Sequence, residues 1–297
     1  PRGELTLTAF DVGHGDALLL SLPAGDQLLI DAGGRAQGLD PGSEVVVPAL
    51  RRLGVDHLDA AVVSHLHLDH YGGMAAILTE LTVDALWLPV PPESGHPAEA
   101  VTAAALTERV PIAVLAGQTL TGPRGGCRIE QLHPLPGHAC PGGAVDCGAN
   151  GHSAVIRIVH GDVAFLLTGD MEADLEWELT RAEVPLRAQV LKVPHHGSAT
   201  SSSPPLLASV APALAIASLD PRSRHKLPRP SVTHRYCGAG TVWRSTGSDG
   251  TIQVSTDGRR IRFRTFRVRE GWSRWQPLPD AGAARSQPPP RSATSRR

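Results

Sequence analysis

Leu5–Val12 alternates apolar and polar side chains with the two-residue period of a strand and runs into Gly13-His14-Gly15-Asp16. Ala17–Leu22 and Gln27–Ile30 follow as a hairpin ending at Asp31-Ala32-Gly33-Gly34. The period then lengthens: Val45–Leu53 has helical spacing and stops at Gly54. Leu58–Val63 is a short buried strand that delivers His65-Leu66-His67-Leu68-Asp69-His70 and then Gly72-Gly73, and Met74–Leu81 is again helical. From Pro89 to Asn150 the pattern breaks up, with turn signals at Pro91-Pro92, Gly122-Pro123 and Pro134 to Gly148. Within it Val101–Arg109 is expected as a helix and Ile112–Leu115 as a strand, and Leu135 to Gly148 as a surface loop bordering a cleft.

Regular periods return with Ala154–Val159 and Val163–Leu167, which lead into Thr168-Gly169-Asp170. A helix over Asp174–Arg181 precedes the strand Val190–Val193, which delivers Pro194-His195-His196-Gly197-Ser198. Leu214–Ser218 and Thr241–Trp243 are later strands, and Thr251–Ser255 with Arg260–Arg267 closes a terminal hairpin around Asp257-Gly258. Strands with helices between them and polar clusters at strand ends describe a layered α/β fold. The pattern predicts one domain over residues 1–270. Residues 271–297, rich in Pro, Ser, Ala and Arg from Pro277 onward, form a tail unable to bury a core.

Composition narrows the classes. A chain of 297 residues with 31 Gly, 26 Pro and 4% aromatic residues suits a loop-rich α/β domain rather than a helical bundle. Net charge of −1 names no partner, but eleven arginines fall between Arg259 and Arg297 against Glu270 and Asp280. That basic edge suits either a polyanion such as nucleic acid or a solvated strand edge. Cys127, Cys140, Cys147 and Cys237 lack the CxxC spacing of a zinc ribbon; a Cys140–Cys147 disulfide in an oxidising compartment and reduced thiols are both open. The longest weakly apolar stretch, Leu206 to Leu219, is bounded and broken by Pro204, Pro205 and Pro212, so no run reaches membrane-spanning length. The start lacks a signal-peptide pattern and a Met, as in a piece of a longer protein.

The chemistry concentrates in His65-x-His67-x-Asp69-His70, four metal-ligand types within six residues. His65 and His67, two apart in extended chain, share a face and can grip one ion; Asp69 and His70, after a bend, can address a second. Imidazole and carboxylate donors without a nearby thiolate suit zinc or manganese. Burying three histidines and an aspartate without a metal would strand desolvated polar groups. No Gly-x-Ser-x-Gly elbow supports a serine hydrolase.

This motif, with Asp31-Ala-Gly-Gly upstream and Thr168-Gly169-Asp170 downstream, resembles the metallo-β-lactamase fold. Phe10-Asp11-Val12-Gly13-His14-Gly15-Asp16-Ala17, Leu167-Thr168-Gly169-Asp170 and Leu191-Lys192-Val193-Pro194-His195-His196-Gly197-Ser198 are similar to its ComEC-like branch. That branch comprises the metallohydrolase domain of the DNA-uptake channel protein and free-standing relatives, and the resemblance runs from Leu5 to Arg267. It implies a four-layer αββα sandwich with two metal ions at one edge, bridged by Asp170. Many ComEC domains carry Asp where His67 stands and Asn where His152 stands. Here Asn150-Gly151-His152-Ser153 offers His152 as a third nitrogen beside His65 and His67, a more zinc-like set.

For the second ion the expected ligands are Asp69, His70 and one of the adjacent His195 and His196. In extended chain these two point opposite ways, and resemblance to phosphorylcholine esterase relatives favours His196. His195 then faces substrate or stands behind the ligands in support, Lys192 meets phosphate or solvent, and His225, in Ser223-Arg224-His225-Lys226, is a substrate contact or proton donor or else part of a basic surface. Asp69 has a second role in orienting water. His14 occupies a family loop near the cleft.

The resemblance and the arginine-rich edge imply a binuclear phosphodiesterase or nuclease, with single-stranded DNA the first substrate to consider. A hydrolase of a small phosphoester, lactone or thioester is the second reading, and a non-catalytic metal-dependent DNA-binding module the third. As part of an uptake channel, with a membrane channel portion as its partner, the chain belongs on the outer face of the membrane; as a free-standing protein, in the cytoplasm.

Overall fold

Several strands carry apolar side chains on both faces, and each face has its own partner layer. The computed structural model describes residues 3–34, 38–115, 117, 119–121, 126–135, 148–220, 222 and 225–278. Along Leu18–Ser21, Leu18 and Leu20 enter a core between two sheets, while Leu19 joins an outer core with Val47, Leu50, Met74 and Ile77. Along Val163–Leu167, Phe165 and Leu167 point inward and Leu166 points out to Leu175, Leu179 and Leu206. Strict alternation in a pleated strand makes this double use possible. Sheets buried on both faces require helices outside each, and the result is the expected four-layer αββα sandwich.

The first sheet has ten strands. Its centre is Leu5–Ala9, antiparallel to both Leu18–Ser21 and Thr251–Thr256, so the chain's two ends close on each other. Gln27–Ile30, Ala60–Val62, Leu86–Leu88 and Ile112–Val114 then run parallel. The second sheet has seven strands, of which Val163–Leu167, Val190–Lys192, Leu214–Ala217 and Val242–Ser245 are parallel. Carboxyl ends of parallel strands gather along one edge, where a cleft forms in α/β proteins. From that edge emerge Asp31, Ser64-His65, Gly169-Asp170, His195-His196 and Ser218.

Most expected elements are present within a residue or two at each end. The strand Arg128–His133 and the helices Pro204–Val210 and Pro230–Gly238 go beyond the expectation. Their signals were obscured by Pro residues that in fact open both helices, where the missing N–H costs nothing. The boundary at residue 270 needs correction. Gly271–Trp272 and Gln276–Pro277 pair with Ile261–Arg267, and Leu278 packs against the inter-sheet core. Proline is tolerated there because an edge strand leaves its N–H side unpaired. Residues 279–297 of the expected tail, the loop over 136–147 and the Cys140–Cys147 pair lie outside the described residues.

Candidate metal centre

The ligand motif sits where the Ala60–Val62 strand ends and the helical turn Leu68–Tyr71 begins. His67 keeps an extended backbone (φ −97°, ψ 145°) before the turn, so His65 and His67 stay on one side and Asp69 and His70 swing to the other. Two sets of donor atoms result, each within 4.8 Å: Asp69, His70, Asp170 and His196, and His65, His67 and Asp170.

Their spacings are those of metal ligands. Donors about 2.0–2.2 Å from a zinc ion stand about 3.3–3.6 Å apart at tetrahedral angles. His70 Nε2 and His196 Nε2 lie 3.4 and 3.3 Å from Asp170 Oδ1 and 3.3 Å from each other. Asp69 Oδ2 lies 3.6 Å from His196 Nε2 and 3.8 Å from His70 Nε2. In the other set, His65 Nε2 is 3.2 Å from His67 Nδ1 and 3.8 Å from Asp170 Oδ2. Asp170 thus offers one oxygen to each set. Its buried Oδ1 makes no well-formed hydrogen bond among the described residues, as suits a group whose natural partner is a cation.

The remaining ring nitrogens are pinned, which aims the lone pairs. Asp31 accepts from Ser64 N at 2.7 Å, from Ser64 Oγ at 2.6 Å and from His70 Nδ1 at 2.7 Å. Because Ser64 Oγ gives its proton to Asp31, it accepts from His65 Nδ1 at 3.1 Å. His196 Nδ1 donates to the Ser218 carbonyl at 2.8 Å. In each case a proton fixed on Nδ1 leaves Nε2 bare toward the cluster, the arrangement that orients metal-binding histidines.

Electrostatics agree with the geometry. Asp16, Asp31 and Asp170 are buried, Asp69 is half-buried, and the neighbouring fixed cation is Lys192. Four carboxylates against one ammonium leave three negative charges in a desolvated space, which calls for cations. Burial opposes ionisation of Asp170, yet His196 and His70 hold its carboxyl well below the usual range. Burial also works against a charge on His70, but Asp170 and Asp31 outweigh it and raise its affinity for a proton. His196 is raised for similar reasons, whereas burial and then His70 keep His65 neutral.

Close backbone approach builds the pocket. A Cβ on Gly15 would fall 2.0 Å from the Asp69 carbonyl oxygen, and one on Gly34 would fall 2.5 Å from Asp69 Cα. Only glycine at both positions lets the 13–16 and 31–34 turns press Asp69 into place.

Not every expected residue stands as expected. His195 and His196 are not in extended chain: both adopt left-handed backbone (φ 46° and 52°), and their ring centroids are 6.4 Å apart. The turn buries His196 in the ligand set and leaves His195 25% exposed, with Nε2 3.7 Å from Asp170 Oδ2 and Nδ1 3.0 Å from Glu172 Oε1. The phosphate-contact role considered for Lys192 is corrected. It is fully buried, its ammonium 2.7 Å from Asp16 and donating to the Val193 carbonyl. It supports the floor of the site by balancing Asp16. His152 lies just past the Gly148–Gly151 turn and outside both donor sets; its neighbour Ser153 accepts from Asp170 N at 3.2 Å. His225 is exposed and stacks on His14 (4.8 Å, 12°), and His14 Nε2 is 3.4 Å from Asp69 Oδ2.

Asp16, Asp31, Ser64 and Glu172 had no site role in the sequence reading. Asp16 and Asp31 stood inside the quoted motifs, but their partners lie 176 and 39 residues away along the chain (Lys192 and His70). Only folding brings them together.

Comparison with known proteins agrees. Residues 10–218 match the Metallo-beta-lactamase superfamily. The chain is 32% identical over 272 residues to the uncharacterized protein YcaI of Escherichia coli (strain K12), covering 91% of this chain and 32% of that one. It is 29% identical over 279 residues to ComE operon protein 3 of Bacillus subtilis (strain 168), with 89% and 34% covered, and 29% identical over 280 residues to competence protein ComA of Neisseria gonorrhoeae, with 94% and 36% covered. The chain therefore spans about a third of the length of these relatives. Among solved structures, Tm1679, a metal-dependent hydrolase of the beta-lactamase superfamily, superposes with a TM-score of 0.51 at 13% identity over 81% of this chain and 95% of that one. By fold, ligand motif and sequence, the chain belongs to the metallo-beta-lactamase superfamily, in its ComEC-like branch.

Proposed function

We propose that this chain is a binuclear metal-dependent phosphodiesterase, with single-stranded DNA its leading substrate. The observation that carries the reading is Asp170, whose two oxygens each face a separate set of imidazoles at ligand spacing. His65 and His67 would hold one ion and Asp69, His70 and His196 the other, with Asp170 between them, while His152, outside both donor sets, would have to turn toward the first to complete it; zinc or manganese suits these donors. Two divalent ions would add four positive charges to a site carrying three negative ones, leaving a surplus that attracts an anion. When bound, such ions lower the pKa of water and neutralise charge developing on a phosphoryl group. The chain's own residues do the rest. Asp69 fixes an acceptor at the mouth, and Asp31 and the Ser218 carbonyl stop the imidazoles from rotating. Glu172 orients His195 so that Nε2 faces the centre, where it can give a proton to a departing oxygen. His225 and His14 line the approach as a stacked pair. Likeness to competence proteins and the arginine-rich hairpin support a nucleic-acid substrate over a lactone or thioester.

The test is hydrolysis of bis(p-nitrophenyl) phosphate and of single-stranded DNA by protein loaded with zinc or manganese, beside measured metal content. A His70→Ala/Asp170→Ala double variant is expected to lose metal and activity together. Unchanged cleavage by that variant would overturn the metal mechanism. Turnover of lactones or thioesters alone would move the assignment to the small-substrate reading, and strong salt-sensitive DNA binding without cleavage under any metal would favour a binding module.

A further inference from the structure

Beside the metal centre, on the same edge of the first sheet, lies a second concavity of about 660 Å³. Its volume falls in the range of about 300–1,000 Å³ typical of ligand pockets. The end of the Val47–Arg52 helix forms one wall, the Thr246–Asp249 turn the floor, and the end of the Ile261–Arg267 strand with Trp272 the other wall. Two features join it to the metal centre. Phe10 and Asp11 line it and stand at the start of the loop that carries His14 to Asp69. Val45 also lines it, from the turn whose Gly42 packs so tightly on Gly73, three residues after His70, that a Cβ would fall 2.1 Å from the Gly73 carbonyl oxygen. The groove and the ligands therefore share their supports.

Its chemistry is specific. Phe266 and Trp272 pair with ring centroids 5.2 Å apart, and the Arg264 guanidinium lies over Trp272 at 4.3 Å. Arg52 is exposed at the helix end, and Arg267, which donates to the Ser248 carbonyl, rims the opposite wall. Arg264, Arg267 and Arg52 are the guanidinium groups at the groove; Arg267 also lies 3.7 Å from Glu270, and Asp11 and Glu44 are the acids of the lining. Aromatic faces set among guanidinium groups are what a single-stranded polynucleotide requires: bases stack on the rings and phosphates meet the arginines. Asp11 and Glu44, also in the lining, can accept from exocyclic base amines.

We propose that this groove is the track on which a single strand of nucleic acid lies as it enters or leaves the metal centre, its bases stacking on Trp272 and Phe266 and its phosphates held by Arg52 and Arg267. The inference rests on the phosphodiesterase reading for its direction, but strand binding is measurable without catalysis. A phosphorothioate oligodeoxycytidylate of about 20 residues, slow to hydrolyse and long enough to span a site of about 4–16 nucleotides, is titrated into metal-loaded protein by anisotropy and by tryptophan emission. The groove reading expects quenching of Trp272 and at least tenfold tighter binding of the long oligomer than of one of about four residues. Arg52→Glu should weaken long-oligomer binding about tenfold and flatten its salt dependence by about 0.7 in log–log slope, the share of one phosphate contact on a single strand. Trp272→Phe, which keeps an aromatic ring against Phe266, should remove most of the quench; circular dichroism confirms that both variants are folded.

Binding and quenching unchanged in both variants would overturn the groove, as would equal affinity for short and long oligomers or binding to anionic vesicles but not to the oligomer. The two readings fail differently. Loss of the groove shows as intact bis(p-nitrophenyl) phosphate hydrolysis without groove-dependent strand binding. Loss of the phosphodiesterase reading shows as strand binding intact in a protein that hydrolyses no phosphodiester.

Discussion

Asp31→Asn isolates the electrostatic and tautomeric roles of the carboxylate beneath His70. Asp31 has left-handed backbone (φ 61°), which asparagine tolerates about as well as aspartate, so the substitution adds little strain. The amide oxygen can still accept from Ser64 N. Its NH₂ group cannot accept from His70 Nδ1; facing it, the amide donates, and His70 must carry its proton on Nε2, pointing into the ligand set. Loss of such a supporting hydrogen bond costs about 10–100-fold in metal affinity, or about 1.4–2.8 kcal/mol at 1.4 kcal/mol per tenfold. At saturating metal the same amount disappears from metal-linked stability. For a domain of this size, at about 2–4 °C per kcal/mol, the metal-induced rise in Tm shrinks by about 3–11 °C. The assay pairs metal content after dialysis against graded zinc buffers with thermal melts in zinc and in chelator. Asp31→Asn protein that retains wild-type metal affinity and the full zinc-induced rise would refute the coupling between Asp31 and the ligand set.

Three further outcomes follow from the same geometry. Gly15→Ala pushes a methyl into the Asp69 carbonyl at a backbone φ of 113°, and is expected to lower metal content while leaving far-ultraviolet circular dichroism unchanged. Lys192→Met strands the buried Asp16 carboxylate and should cost about 3–5 kcal/mol in urea unfolding; Asp16→Asn added to it should recover part of the loss, and additive effects would argue against the pair. His70 and His196 have raised pKa values, burial being outweighed by Asp170 in both, so the metal-free protein holds protons that a metal must displace. Apparent metal affinity therefore rises with pH and falls on acidification, and calorimetry in buffers of different ionisation enthalpy should register proton release on binding.

Much of the molecule is legible in order along the chain. Runs such as Leu18–Leu20 and Val163–Leu167, apolar at every position, announce strands buried on both faces, and that alone demands two sheets with helices outside them. His65, His67, Asp69 and His70 are close together in sequence, so a strand followed by a single helical turn divides them between two sets of candidate donors with little help from elsewhere. The His195-His196 pair shows the limit of such reasoning. An extended chain separates the two rings by pleat, but consecutive left-handed residues separate them by a turn, and no local pattern discloses that backbone. That turn, not an extended chain, sets His196 among the candidate donors and leaves His195 beside them.

The sequence by itself determined the layered α/β class and the strand-end placement of the candidate ligands His65, His67, Asp69 and His70, because these depend on side-chain period and on donors close together in the chain; Asp170 and His196 stand in distant motifs and followed from the family resemblance. Tertiary structure decided what surrounds those donors: Asp31 under His70, Ser218 behind His196, Glu172 beside His195, and Lys192 turned inward to Asp16 rather than outward to a phosphate. It also decided that the chain past residue 270 continues as a sheet edge, carrying Trp272 to a groove beside the metal centre. Each of these depends on which residues meet across long separations and on how completely they are desolvated. A one-dimensional pattern carries neither quantity; the packing of two sheets face to face supplies both.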